Sequence, residues 1–319
     1  MTNLATPTRP SRLRNAQAKP EKSAGRRLRR RREAAVAVTF MTPSMLAFAA
    51  FVIIPALAGL SLSFFEWDLF DTPKWVGLSN FGRLLSDPEV WESLKVTVEF
   101  VFLGAIPTVL LGFMLAVLIN IRMRGMGAIR ILYFAPMVAS SAVAAVLWSY
   151  MYAPSSGVAN RVLGWIGIRG PAWLSSTTWA LPALTLMLIW LALPLVMILY
   201  LAGLQRISDD IYEAAELDGA GKWRVLWSIT WPNVVPTTVL VSILQAINFA
   251  SGSFETSLIM TNGGPLNATR TLGLYAYQMA FQNTEMGYAS ALSLFQLLII
   301  AACVGIVRLV QNMRQADTA

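Results

Sequence analysis

Six stretches of this chain are long, apolar and almost free of charge, and no other feature restricts its fold as much. A bilayer core about 30 Å thick takes roughly 20 mainly apolar helical residues per crossing. Runs of that size lie at 38–65, 96–119, 131–152, 179–202, 233–251 and 288–307, and together they hold none of the 25 Lys and Arg residues and a single acid, Glu99. The expected fold is an all-α polytopic membrane protein with six transmembrane helices. A soluble globular domain is excluded, because 13% of residues are charged against roughly a quarter in soluble domains. Prolines in or near the runs, among them Pro55, Pro107, Pro194 and Pro236, predict kinked helices whose freed backbone groups are satisfied by neighbours. The stretch 252–260 predicts an extension of the fifth span beyond a break at Gly252.

The placement of Lys and Arg sets orientation. Eleven of the 25 lie in residues 1–35. Over alternate segments between runs, nineteen fall on the tail side and six on the other, so both termini are expected in the cytoplasm. Residues 1–35 read as a basic, largely disordered cytoplasmic tail, disordered to about residue 25 and then a basic helix against anionic headgroups. Residues 36–311 form the membrane domain and 312–319 a cytoplasmic C-terminal tail. The apolar run after the arginines is too long for a signal peptide. The tail's partner is membrane lipid and not nucleic acid.

Several kinds of chemistry are missing from the composition. The chain has no histidine and one cysteine, Cys303, which removes the commonest general base and metal ligand and any disulfide framework. No catalytic, metal-binding or cofactor-binding constellation is visible. A phosphate-cradling G-x-x-x-x-G-K-[ST] loop is also absent. At the only Gly-Lys pair, Gly221-Lys222, Glu216 stands where the first glycine belongs and Trp223 where Ser or Thr is required. The chain is therefore not expected to bind ATP or to be an enzyme. An ion-coupled secondary transporter of a small polar solute is the competing reading, but it calls for several intramembrane acids or a His relay, and only Glu99 is at hand.

The cytoplasmic segment 203–232 uses about thirty residues where a handful would connect two helices. Ser208, Asp209 and Asp210 supply an N-cap and first-turn carboxylates, and Asp210 with Glu213 has the spacing of a capping box. A helix is expected to about Leu217, followed by a turn at Asp218-Gly219 and a second helix from Lys222 to Pro232. Five acids mark the first helix, whereas helices resting on a membrane favour basic polar faces. Ala214 and Ala215 beside Glu213 leave a low surface that another protein's cleft can approach.

The order Glu213-Ala214-Ala215-x-x-Asp218-Gly219-Ala220, then Ile229 and Pro232, resembles the EAA motif of membrane subunits of binding-protein-dependent ABC importers. Val76-Gly-Leu-Ser-Asn80-Phe81 with Asp87-Pro88 is similar to the first external segment of the carbohydrate branch, which includes maltose and glycerol-3-phosphate permeases. Thr261-Asn-Gly263-Gly264-Pro265-Leu-Asn267-Ala-Thr269 and Met286-Gly287-Tyr288-Ala289-Ser290 resemble that branch's last external loop and final helix. Trp231 stands where leucine usually precedes the proline, and Leu226 where an aromatic is common.

The resemblance covers residues 40–311. It implies a type I ABC importer permease in the cytoplasmic (inner) membrane of a prokaryote, forming half of a path for a sugar, oligosaccharide or glycerol-phosphate-type polyol. The implied partners are a second homologous permease, two ATP-binding subunits that carry ATP and Mg, and an extracytoplasmic substrate-binding protein. Glu213, Ala214, Ala215, Asp218, Gly219 and Ala220 would form the ATPase-coupling element. External segments 66–95 and 252–287 are long enough to fold against a binding protein.

Polar side chains inside spans are the default markers of a translocation path. The fifth span and its extension are the richest, with Ser242, Gln245, Asn248, Ser251, Ser253, Glu255 and Thr256. Helical spacing puts Gln245, Asn248 and Ser251 on one face, and these three are the expected path residues. Trp148, Tyr150, Trp190 and Phe249 are aromatics that could stack on a sugar ring, although core packing and interfacial anchoring are the commoner uses.

Overall fold

The computed structural model describes residues 23–120 and 134–316. The chain divides into two compact units after Ala58. In the N-terminal unit, helix α1 (Ser23–Phe48) passes through a π turn at Ala49–Ile53 into α2 (Ile54–Ser61), so the arginine-rich stretch is helical and continuous with the first span. The disorder expected to about residue 25 falls mainly outside the described residues, and residues 23–25 are helical.

Among the described residues, five helical stretches are long and apolar enough to cross a membrane: Arg32–Phe64, Pro88–Asn120, Ala180–Leu204, Lys222–Met260 and Met286–Leu309. They overlie five of the six expected runs. The remaining run, 131–152, is described as a helical turn over 134–138, a break, and α5 (Ser141–Met151). Eleven residues of helix reach only about 16 Å.

In the second unit a two-stranded antiparallel hairpin, β1 (Phe65–Glu66) with β2 (Lys74–Trp75), precedes α3 (Ser79–Ser86) and α4 (Pro88–Asn120). After α5 come α6 (Val158–Trp165), α7 (Ala180–Leu204), α8 (Asp209–Leu217), α9 (Lys222–Val225), α10 (Trp231–Met260), α11 (Leu272–Phe281) and α12 (Met286–Ala316). The last helix thus runs on into the stretch read as a C-terminal tail.

Two differences from the expected boundaries have local causes. No turn separates α9 from α10, because a π turn at Leu226–Thr230 joins them. Trp231 N–H bonds Leu226 O and Ile54 N–H bonds Ala49 O, and in both cases proline follows, at Pro232 and Pro55. Proline lacks an N–H and its ring crowds the carbonyl four residues back. A turn widened to five residues removes that crowding while the helix continues. At Gly252 α10 does not break: the position is regular helix, and Leu188 of α7 lies 3.9 Å from where a Cβ would sit.

The membrane core is built on α7, fifteen of whose residues are buried. It packs against α4 and α10 through two clusters, one around Phe100, Leu184, Met187 and Phe249, the other around Phe113, Val196, Tyr200 and Val241. Small residues permit the approach, as is usual between helices in lipid. A Cβ on Gly104 would lie 2.1 Å from the Phe249 ring, and one on Gly112 would lie 2.3 Å from Val196. Phe249 is completely buried, 6.3 Å from Phe100, and Trp148 packs on Trp190 at 5.8 Å, whereas Tyr150 is exposed. Of the four candidate stacking residues, three therefore serve packing within this chain.

Candidate functional site

The first candidate is α8 and its flanks. Ser208 is the N-cap: its side chain accepts from Asp210 N–H at 3.3 Å, and Asp209 and Asp210 occupy the first turn, where the helix dipole favours carboxylates. The Asp210/Glu213 pair consequently lies within the helix and is not its capping box. At the other end Gly219 N–H bonds Glu216 O and Ala220 N–H bonds Ala215 O, the double closure of a Schellman motif. It requires the left-handed φ of +73° that Gly219 adopts.

The helix presents two unlike faces. Glu213, Ala214, Asp218 and Gly219 are exposed, while Ala215 is 6% exposed and faces the chain's own interior. The two alanines of the motif are thus divided between the faces. Sequence reasoning passed over two residues. Tyr212 shares a hydroxyl contact of 3.2 Å with Thr230 and so fastens α8 to the helix that enters the membrane. Leu217 is 89% exposed among carboxylates, an apolar knob on an acidic surface. Its signal is a leucine set between Glu216 and Asp218 at a helix end.

The second candidate is a polar ridge on α10. Gln245 is buried, and Asn248 Nδ2 reaches Gln245 Oε1 at 3.5 Å, while Asn248 and Ser251 are exposed. Glu255 continues the ridge one turn further and accepts from Ser141 Oγ at 2.5 Å, at the N-terminus of α5. Ser253 and Thr256 bond back to Ala250 O and Gly252 O on their own helix. Glu99 lies on α4, in an i,i+4 pair with Lys95 at 3.8 Å.

Segments 66–95 and 261–287 form one cap, in which residues of the Val76–Pro88 and Met286–Ser290 motifs meet. Asn80 Nδ2 donates to Ser63 O and Phe65 O, both at 2.9 Å. Gly287 approaches Phe65 O so closely that a Cβ would lie 1.9 Å from it. Asp87 Oδ2 accepts from Tyr275 OH at 2.7 Å and Tyr288 OH at 2.6 Å, and Asp87 Oδ1 caps α4 through Glu89 N–H at 3.0 Å. Burial, then the bond to Asp87, raises the Tyr275 pKa. Arg83 pairs with Glu285, which raises its pKa, and lies over the Tyr288 ring; Arg270 pairs with Glu89. Thr269 Oγ1 bonds Gly264 O at 2.7 Å across the last external loop.

Residues 96–314 match the family of binding-protein-dependent transport system inner membrane components. The chain belongs to that family. This permease is 36% identical over 268 residues to YesP of Bacillus subtilis, a probable ABC transporter permease protein, covering 82% of this chain and 85% of the relative. It is 32% identical over 270 residues to the trehalose/maltose transport system permease protein MalF of Thermococcus litoralis, covering 84% and 91%. With the sn-glycerol-3-phosphate permease UgpA of Agrobacterium fabrum it shares 31% over 263 residues, covering 82% and 89%.

A solved bacterial ABC transporter involved in import of the acidic polysaccharide alginate has the same fold. Its TM-score is 0.78, its identity 23%, and the match covers 90% of the permease and 99% of that chain. A second alginate transporter structure, in complex with an alginate-pentasaccharide-bound periplasmic protein, matches with a TM-score of 0.75 at 23% identity over 86% of the permease and 93% of that chain. The permease is therefore a multi-pass inner-membrane transport subunit, and its family is not an enzyme family.

Proposed function

We propose that this permease forms half of an ATP-driven importer for a sugar or sugar derivative and crosses the membrane six times with both termini in the cytoplasm. The third crossing is the run 131–152, whose described part is helical and interrupted just before Ser141. The N-terminal stretch 1–35 and residues 312–319 are its cytoplasmic tails. A second homologous permease completes the path, and an extracytoplasmic binding protein delivers substrate to the cap formed by segments 66–95 and 261–287. The names of relatives that carry trehalose/maltose and glycerol-3-phosphate support the substrate class.

The observation that carries the reading is the exposed acidic face of α8. Two partner subunits hold ATP and Mg, and one of them receives α8 in a surface cleft. Glu213 supplies a charge-assisted bond to a basic group there, Ala214 allows close approach, and Leu217 fills an apolar notch. Ala215, Asp218, Gly219 and Ala220 shape and terminate the helix that presents these contacts. Closure of the ATPase pair moves α8, and through it α9 and α10, as a rigid body. Substrate passes along Gln245, Asn248 and Ser251.

The test is co-purification of the tagged permease with an ATPase subunit, together with uptake measured with and without vanadate. An associated ATPase and vanadate-sensitive uptake are expected. Uptake that persists in vanadate and collapses with an ionophore would assign the chain to ion-coupled transport instead.

A further inference from the structure

We infer that Glu255 is the hydroxyl acceptor at the outer end of the translocation path, and that it restricts this permease to neutral polyhydroxylated sugars. The inference rests on the sugar-import reading above and narrows its substrate class.

Several polar side chains of α10 are already satisfied. Thr238, Ser242, Ser253 and Thr256 each donate to a carbonyl of their own helix, which hides the hydroxyl from anything outside. The ridge Asn248, Ser251, Glu255 differs. Ser251 is exposed and makes no side-chain hydrogen bond within the described chain, and Asn248 is exposed with its Oδ1 unengaged. Glu255 is half-exposed and spends one carboxylate oxygen, Oε2, on Ser141, so that Oε1 remains open. The three residues follow one another at i, i+3 and i+7, a rise of about 10 Å along one helix face. Leu240, Leu244 and Ile247, exposed on the same helix, are apolar. A row of open acceptors and donors on an otherwise apolar membrane helix fits a ligand that carries many hydroxyls and no charge.

Electrostatics decides the sign. The Ser141 hydroxyl at the start of α5 donates to this carboxylate, and the apolar runs of this chain contain no Lys or Arg to pair with it. A carboxylate accepts paired hydrogen bonds from vicinal hydroxyls. It repels a uronate, sulfonate or phosphate in the same position, and the low dielectric of the membrane strengthens that repulsion.

The test uses the complete importer, co-expressed with the permease, ATPase and binding-protein genes beside its own, in cells lacking other sugar uptake. Vanadate-sensitive uptake is measured for neutral trehalose, maltotriose and raffinose and for anionic trigalacturonate and sn-glycerol 3-phosphate. The expected result is uptake of at least one neutral probe and of neither anion. Glu255→Gln should lower that uptake at least tenfold, chiefly through KM, with Glu255→Asp recovering part of it and Ser141→Ala leaving it within about threefold.

Uptake of an anionic probe by the wild type overturns the inference while leaving the importer reading intact. So does a Glu255→Gln permease with unchanged KM. A Ser141→Ala variant as impaired as Glu255→Gln overturns it as well, since Glu255 would then act only by anchoring α5. No vanadate-sensitive uptake of any probe defeats the importer reading and this inference with it.

Discussion

Replacing Asp87 by alanine should loosen the cap by an amount that its hydrogen bonds allow to be worked out. Asp87 Oδ2 is the shared acceptor of Tyr275 and Tyr288, which are 4% and 2% exposed, and Oδ1 caps α4. A buried hydroxyl left without its acceptor costs about 1–3 kcal/mol, and a lost N-cap costs about 1 kcal/mol. Asp87→Ala is therefore expected to destabilise by roughly 3–7 kcal/mol. At about 2–4 °C per kcal/mol, Tm should fall by at least about 6 °C.

Asp87→Ser separates the contributions, because serine keeps the cap but does not reach both tyrosines. It should recover about 1 kcal/mol of the loss. Removing the hydroxyls as well, in Asp87→Ala combined with Tyr275→Phe and Tyr288→Phe, should cost less than the separate losses added together, since no unpaired group then remains. The assay is thermal melting of detergent-solubilised protein followed by fluorescence-detected gel filtration. An Asp87→Ala melting curve that overlays the wild type would refute the reasoning.

At the coupling loop, Glu213→Lys should abolish uptake with unchanged protein in the membrane, which quantitative immunoblotting beside an uptake assay would check. Gly219→Ala meets no steric obstacle but must hold a left-handed φ, at about 1–2 kcal/mol; uptake should fall several-fold, and full activity would count against the Schellman closure of α8. Gly104→Val drives a side chain into the Phe249 ring and should cost at least about 1–3 kcal/mol in Tm measurements, whereas Gly305→Ala, with nothing within 4 Å of its added Cβ, should be neutral. Tyr275 has its pKa raised in the folded state, so its contribution to stability is complete below the unfolded tyrosine pKa near 10 and is lost as pH climbs from there toward the folded value. Melting curves from pH 8 to 11 should show a steeper alkaline decline for wild type than for Tyr275→Phe.

Much of the membrane architecture was legible in the sequence because exclusion of charge from lipid is a one-dimensional signal. It located five spans to within a few residues at most of their ends. It misplaced the start of α4 by eight residues, since Val90 and Ser93 are buried in the cap and not in lipid, and hydropathy does not distinguish the two. The length of α8 was also readable, since Ser208 and Gly219 mark its ends by local backbone chemistry. The division of Ala214 from Ala215 was not, because it depends on which face turns inward. The bond from Ser141 to Glu255 joins residues 114 apart in sequence, and no local pattern announces such a pair. The Val76–Pro88 and Met286–Ser290 motifs were recognised as separate strings of residues, whereas their meeting at Asp87 and Gly287 is a property of three dimensions.

The π turn ahead of Pro232 has a mechanical consequence. Because neither that proline nor Gly252 interrupts it, the helical rod from Lys222 to Met260 contains 39 residues and is about 58 Å long. One end abuts the loop that follows α8, and Glu255 lies near the other. A tilt of about 5° around the midpoint swings each end by about 2.5 Å in opposite directions, which exceeds the tolerance of a hydrogen bond. A small nudge at the α8 end is thereby enough to make or break polar contacts near the Glu255 end.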